Sequence, residues 1–513
     1  MRMGNGVLPP EMLGEIFNLS LPDTPSVFSR RSLIDLCLVC KDWRDAAHLD
    51  GRLWAGINLE FTSKTQPFCY SKALVWIKRS GGRPKSLAIV TACRNFTINN
   101  CASATCSASN RALAQFLTQV PALEHLSLEV KAAQCFRNLC ASMKHYSEQL
   151  DSSPRSLDSS EFPVKSLSLH VGLFTPQDPS HAGYMFESLP AVSDLQLEFP
   201  AIHPDGGHHP ILFASVLGPS ITVPAGRLLS PNILEPITRL SMGCNSPLRD
   251  IAAVVEPCIN IKELTLDLHG FYSHGFEDHL VRQRGISLPK VCILQLRNIA
   301  PVSLDILNFL RLQSISELDV KFGSLGMVYR QILDTQYHTE PWEMFVRKHA
   351  GTLRILRMED VDVPDAQRLS MIPANLPLLE HLVLDRVYFN TDIFHYWSST
   401  PPTEEEGGMW FPRLKSLELL RLRTDFDPDE VFAYLRTRRP FHEEITGIGE
   451  ERAVRLVFHG PPDSIQHLVM TYDPAGSRGL GRTREYSGEV LGIARALRRG
   501  GILVSLGPKF IGR

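Results

Sequence analysis

A chain of 513 residues with 43% apolar and 21% charged side chains is too long for one growing hydrophobic core and lies far from the composition of intrinsic disorder. Its 53 Lys and Arg against 55 Asp and Glu leave a net charge of -2, which excludes a global field toward nucleic acid or an anionic membrane. No apolar leader follows Arg2 and no apolar run reaches the length of a membrane span, so the expectation is a cytoplasmic or nuclear protein with neither nucleic acid nor membrane as partner. In such a compartment the eleven scattered cysteines read as free thiols.

After Leu8, Pro9 and Pro10, residues 11–19 place Met12, Leu13, Ile16 and Phe17 on one face of a predicted helix, with prolines suited to its first turn. A turn-rich segment at 22–26 follows. Leu33, Leu36, Val39, Cys40, Trp43 and Ala47 then recur at helical spacing and predict a second amphipathic helix, closed by Arg52, Leu53 and Trp54. The LP-x-E-x-L-x-x-I-F opening (Leu8, Pro9, Glu11, Leu13, Ile16, Phe17), then Val39, Cys40, Lys41, Trp43 and Arg44, then Leu53 and Trp54, resemble the F-box family. The resemblance implies a three-helix module that docks on the Skp-type adaptor of a cullin ligase. It places Leu8, Pro9, Leu13, Ile16, Val39 and Trp43 at or directly beneath that interface.

From about residue 120 one phrase returns ten times, an apolar pair separated by one residue, usually L-x-L, with Leu, Ile or Val three positions before it. Its first leucines are Leu126, Leu167, Leu195, Leu240, Leu264, Leu294, Leu318, Leu356, Leu382 and Leu417. The phrase predicts strands. It resembles the strand portion of leucine-rich repeats, although the gaps exceed the usual ~20 to 29 residues in several places, so insertions are expected. The Asn or Cys that follows the strand in that motif is approached only by Asn298 and Cys244. One strand and one helix cannot bury their own apolar faces, whereas stacked copies can.

The whole is therefore read as an α/β protein, a small N-terminal three-helix F-box followed by an irregular leucine-rich-repeat-like solenoid. The expected divisions are a helical module at 1–60, a connecting helical segment at 61–119, the array at 120–429 and a C-terminal α/β cap at 430–513. Because strand side chains alternate, the residues between the leucines line the outward sheet face. Glu129, His170, Glu198, Asp267, Arg297, Lys321, Arg357, Glu359 and Asp385 are the candidates for holding a protein substrate, and Asp319 belongs to the same expected exposed face.

Other signals carry less. Cys37 and Cys40 have half the spacing of a zinc site but lack a second pair. Cys101 with Cys106, Cys135 with Cys140, and the loop holding His203, His208 and His209 are looser still. No nucleophile elbow, zincin or phosphate-loop motif is present, and Gly447 with Gly449 and Gly479 with Gly481 read as turns. No cofactor or metal is expected. The basic C-terminal run (Arg478, Arg482, Arg484, Arg495, Arg498, Arg499, Lys509, Arg513) reads as a charged helix face. The functional expectation is a non-catalytic substrate-receptor subunit. Its rivals are a repeat scaffold outside the ubiquitin system and an enzyme with an unrecognised site in residues 430–513.

Overall fold

The computed structural model describes residues 8–21, 27–61, 68–91, 110–120, 123–150, 164–173, 192–198, 231–243, 248–268, 283–299, 304–323, 340–360, 362–363, 376–389, 392–399, 410–422, 426, 428–438, 441–446, 453–458, 464–472, 486 and 488–507. Residues 101, 106, 203, 208, 209, 244, 401–408, 447, 449, 478, 479, 481, 482, 484, 509 and 513, singled out above or lying in a predicted loop, fall outside this set. The chain is mixed α/β and divides into two compact units, Met1–Ile261 and Lys262–Arg513.

The first unit opens with helices α1 (Pro10–Ser20), α2 (Val27–Val39) and α3 (Lys41–Leu49) and a 3-10 turn at Gly51–Trp54. Pro10 stands in the first turn of α1, where a missing N–H costs nothing, and the Pro9 carbonyl accepts from the Leu13 N–H at 3.1 Å. The single second helix expected through Ala47 is in fact two. Cys40 is extended (φ -159, ψ 174), and its thiol accepts from the Trp43 N–H at 3.5 Å, so this residue ends one helix and caps the next.

Leu13, Phe17, Leu33, Ala46, Ala47, Leu53 and Trp54 form the core of this helical module, with Trp43 and Trp76 packed on it. The core continues into β1 (Gly56–Phe61) and α4 (Phe68–Arg79). The Trp54 and Trp76 rings meet edge to face at 4.6 Å, and the Trp76 indole N–H donates to the Gly56 carbonyl at 3.2 Å. Arg79 lies over the Trp54 ring at 4.7 Å. Gly51 approaches the Ser80 carbonyl so closely that a Cβ would stand 2.7 Å from its oxygen.

Strands β2 (Ser86–Thr91), β3 (Leu123–Ala132), β4 (Val164–Leu173), β5 (Asp194–Glu198) and β6 (Arg239–Gly243) extend the sheet from β1 in chain order, every pair parallel. Helices α5 (Arg111–Gln119) and α6 (Ala133–Leu150) flank β3 in sequence. The register sets Ile57, Leu87, Leu126, Leu167, Leu195 and Leu240 side by side, all buried. Burying one such side chain contributes about 1.5–3 kcal/mol, so a one-residue slip, which would turn every leucine outward, is strongly opposed.

The second unit repeats the construction. Its strands are β7 (Glu263–Asp267), β8 (Ile286–Leu288), β9 (Ile293–Ile299), β10 (Leu310–Leu312), β11 (Glu317–Phe322), β12 (Ile355–Glu359), β13 (Asp362–Val363), β14 (His381–Asp385), β15 (Tyr388–Phe389), β16 (Ser416–Leu422), β17 (Phe441–Thr446), β18 (Ala453–Phe458), β19 (His467–Tyr472) and β20 (Leu503–Leu506). The main sheet runs β7-β9-β11-β12-β14-β16-β19-β20, parallel throughout. Strands β8 and β10, and β13 and β15, pair in parallel beside it, whereas β17 and β18 form an antiparallel pair. All ten phrases found in the sequence are strands, and Pro289, Pro377 and Pro412 stand in the turns that precede β9, β14 and β16. The alternation buries one face: Leu264, Leu294, Leu318, Leu356, Leu382, Leu417 and Leu468 lie in one buried row.

Four strand ends in this unit enter the left-handed region without glycine, at Asn298, Asp360, Arg386 and Arg421 (φ 51, 61, 51 and 51). Such residues need compensation, and each is held by its neighbours. The Asn298 side chain donates to both Asp267 oxygens, at 2.9 and 2.8 Å. The backbone N–H groups of Asp360 and Arg386 donate to the carbonyls of Asp385 (3.0 Å) and Leu420 (2.8 Å), and that of Arg421 to the Thr471 hydroxyl at 2.9 Å. Asn298, the near match to the repeat's usual turn residue, does stand at this bend.

Candidate functional site

Two surfaces contain the candidate residues, one on the helical module and one on the outward sheet faces. On α1, Leu13 and Phe17 are buried, whereas Met12 and Ile16 of the same predicted face are exposed, Ile16 at 45%. The stripe is wider than the module's core requires. Leu8, Met12, Ile16 and Leu19 follow one another at intervals of four, four and three along α1 and its lead-in, which is one helical face. Ile34, Leu38 (76%), Val39 (60%) and Leu49 are exposed as well. Eight of the thirteen exposed large apolar side chains among the described residues thus fall within 8–49, a concentration that the rest of the described chain does not match.

The surface stands on a braced frame. Arg52 bridges Asp50 and Glu15, with 2.8 and 2.7 Å ion pairs, tying the 3-10 turn to α1. The hydrogen bond from Arg52, against the opposing effect of burial, holds the Asp50 carboxyl below its usual pKa. Trp43 is half-buried against Phe17, ring centroids 5.1 Å apart, and the Trp54 indole donates to the Ala47 carbonyl at 2.6 Å. Of the residues assigned to docking, Leu8, Pro9, Ile16 and Val39 are exposed, Trp43 is intermediate and Leu13 lies in the core beneath them. Met12, Leu19, Ile34, Leu38 and Leu49 are exposed on the same module without having been assigned. Met12 and Leu19 were within reach of the same helical spacing, four after Leu8 and three after Ile16.

On the sheet of the first unit, Glu129 is exposed, and the His170 Nδ1 meets a Glu198 oxygen at 2.9 Å. The Gln196 amide donates to the second Glu198 oxygen at 2.6 Å. The second unit carries a denser network. Arg297 pairs with Asp319 at 2.7 Å, Lys321 with Glu359 at 2.8 Å, and Arg421 with both Glu359 (2.7 Å) and Asp385. Arg386 pairs with Asp360 at 2.8 Å. Asp319 is a correction to the expected outward face: it is 2% exposed, closed over beside Arg297, and burial raises its carboxyl pKa against the pull of Arg297 and Arg357. Burial opposes ionisation of Glu359 too, but hydrogen bonds from Lys321 and Arg421 prevail and hold its pKa down. Arg357 remains exposed.

Cys37 and Cys40 serve packing and capping, and among the described residues no three His, Cys, Asp or Glu side chains are placed to hold a metal. No helix among the described residues is long and apolar enough to cross a membrane.

The helical module thus carries exposed apolar side chains over a closed, braced core, ahead of the parallel strands. Residues 6–60 match the family described as F-box-like. The chain carries an F-box-like domain there, and such domains generally bind Skp-type adaptors. No curated protein matches the chain.

Proposed function

We propose that this chain is the substrate-receptor subunit of a cullin-RING (SCF-type) ubiquitin ligase. Its F-box-like module at 1–60 docks the Skp-type adaptor, and through it the cullin. The observation that carries this is the concentration of exposed apolar side chains on α1, α2 and α3 over a closed core. Leaving them in water forgoes about 1.5–3 kcal/mol for each one that a partner could bury fully. Leu8, Pro9, Ile16 and Val39 contact the adaptor, while Leu13 and Trp43 shape the surface from below. As in other interfaces, a few of these anchors carry most of the binding energy.

The segment at 61–119, expected to be a helical connector, also supplies strand β2 (Ser86–Thr91), which pairs with β1 and β3; beyond it the strands at 120–429 form an irregular leucine-rich-repeat-like solenoid ending in an α/β cap at 430–513. The parallel pairing in chain order and the left-handed strand ends support that reading. The outward faces, with Glu129, His170, Glu198, Asp267, Arg297, Lys321, Arg357, Glu359 and Asp385, hold a protein substrate. Other subunits transfer ubiquitin, and this chain performs no covalent step. The test is affinity purification of the full chain. Recovery of a Skp-type adaptor and a cullin, lost in the Leu8→Ala, Ile16→Ala double variant, supports the reading; a folded chain that retains no adaptor overturns it.

A further inference from the structure

Among the described strands β20 (Leu503–Leu506) pairs with β19 alone and ends the main sheet. The N–H groups of Leu503 and Gly507 donate to the carbonyls of Gln466 and Met470, both at 2.7 Å. Alternate residues of a parallel strand bond the same neighbour, so Val504 and Leu506 turn their backbone groups toward the free edge. Such an edge is a template for another chain, and sheets protect it with charge, proline or a covering element. Residues 503–506 read Leu, Val, Ser, Leu, with neither charge nor proline. Leu503 is moreover 57% exposed.

Protection comes instead from the basic C-terminal run. In the helix Gly488–Arg499, Val490, Ala494 and Leu497 are buried, while Arg498 is exposed. Gly501, with φ 94, reverses the chain after the helix, and the Ile502 N–H returns to the Leu497 carbonyl at 3.0 Å. This turn sets Arg498 alongside the strand, where its Nε donates to the Val504 carbonyl at 2.6 Å. The guanidinium thus stands where a further strand, about 4.8 Å away, would place its backbone. A neutral N–H that displaced it would exchange a charge-assisted bond for a weaker one. We propose that Arg498 closes the free edge of β20 against a second copy of this chain, whose own β20 would otherwise add to it antiparallel. A second copy fits because the pairing is self-complementary: across a two-fold axis each supplies the same uncharged strand, the same edge groups and the same exposed leucine. The guard is independent of what the helical module binds.

The test is sedimentation velocity on the full chain over a concentration series, comparing the wild type with Arg498→Met, which keeps the aliphatic stem and removes the donor. The variant is expected to self-associate at least about tenfold more tightly than the wild type. Adding Leu503→Lys to Arg498→Met returns association to the wild-type level, because an edge lysine opposes strand addition. Hydrogen exchange read by mass spectrometry over residues 502–507 locates the contact: protection rises with concentration in Arg498→Met and stays constant in the wild type. If Arg498→Met fails to fold, Arg498→Ala carries the same expectation, and the wild-type exchange still decides. A variant no more associated than the wild type, a Leu503→Lys addition without effect, or a wild type whose 502–507 segment gains protection with concentration overturns the proposal.

Discussion

Ile16 and Phe17 are adjacent in α1 and have opposite fates. Phe17 is 1% exposed within the module's core, whereas Ile16 faces solvent. Phe17→Ala is therefore expected to destabilise the first unit by about 3–5 kcal/mol, while Ile16→Ala stays within about 0.5 kcal/mol. Urea unfolding of the two variants measures the difference; similar losses would mean that Ile16 is packed after all. His349 makes a second residue-scale case. It is 4% exposed, its Nε2 has no hydrogen-bond partner among the described residues, and burial together with the Lys348 charge pulls its pKa from 6.5 down to about 4. Between those values the unfolded chain binds the proton and the folded chain does not. The contribution is fully present above pH 6.5 and is lost as pH falls toward 4, on the order of 3 kcal/mol in all. Denaturant midpoints between pH 4 and 7 should fall on acidification in the wild type and less so in His349→Gln.

At the scale of elements, the strand ends of the second unit are held by charge as well as by backbone. Arg421 reaches from β16 to Asp385 on β14 and Glu359 on β12, so Arg421→Met leaves those two carboxylates without their shared cation. Arg421 is one-third exposed, and the expected cost is accordingly discounted to about 1–2 kcal/mol. Chemical denaturation at low and high salt checks this, with a smaller difference from the wild type at high salt. The strands themselves were legible because a period of two puts every leucine of L-x-L on one face. Arg421 was not. The register shifts between Leu419 and Leu422, and an alternation rule cannot place a residue inside such an irregularity. The break at Cys40 was hidden for a related reason: Leu33, Leu36, Trp43 and Ala47 keep helical spacing across it, and only the extended backbone of one residue separates the two helices.

For the whole molecule, the helical module was readable from the order of its motifs, but only part of its outer surface was. Spacing shows which residues share a helix face; it does not show how much of that face the module's own core consumes. Leu13 and Phe17 are consumed and Met12 and Ile16 are left over, and this remainder makes the docking account specific. The most direct measurement is a calorimetric titration of the full chain with purified Skp-type adaptor, comparing the wild type with Ile16→Asp and Val39→Asp. The account predicts saturable one-to-one binding by the wild type and a loss of at least about 2 kcal/mol in each variant, with their unfolding midpoints unchanged. Equal adaptor affinity in all three proteins, or no affinity in the folded wild type, would contradict it.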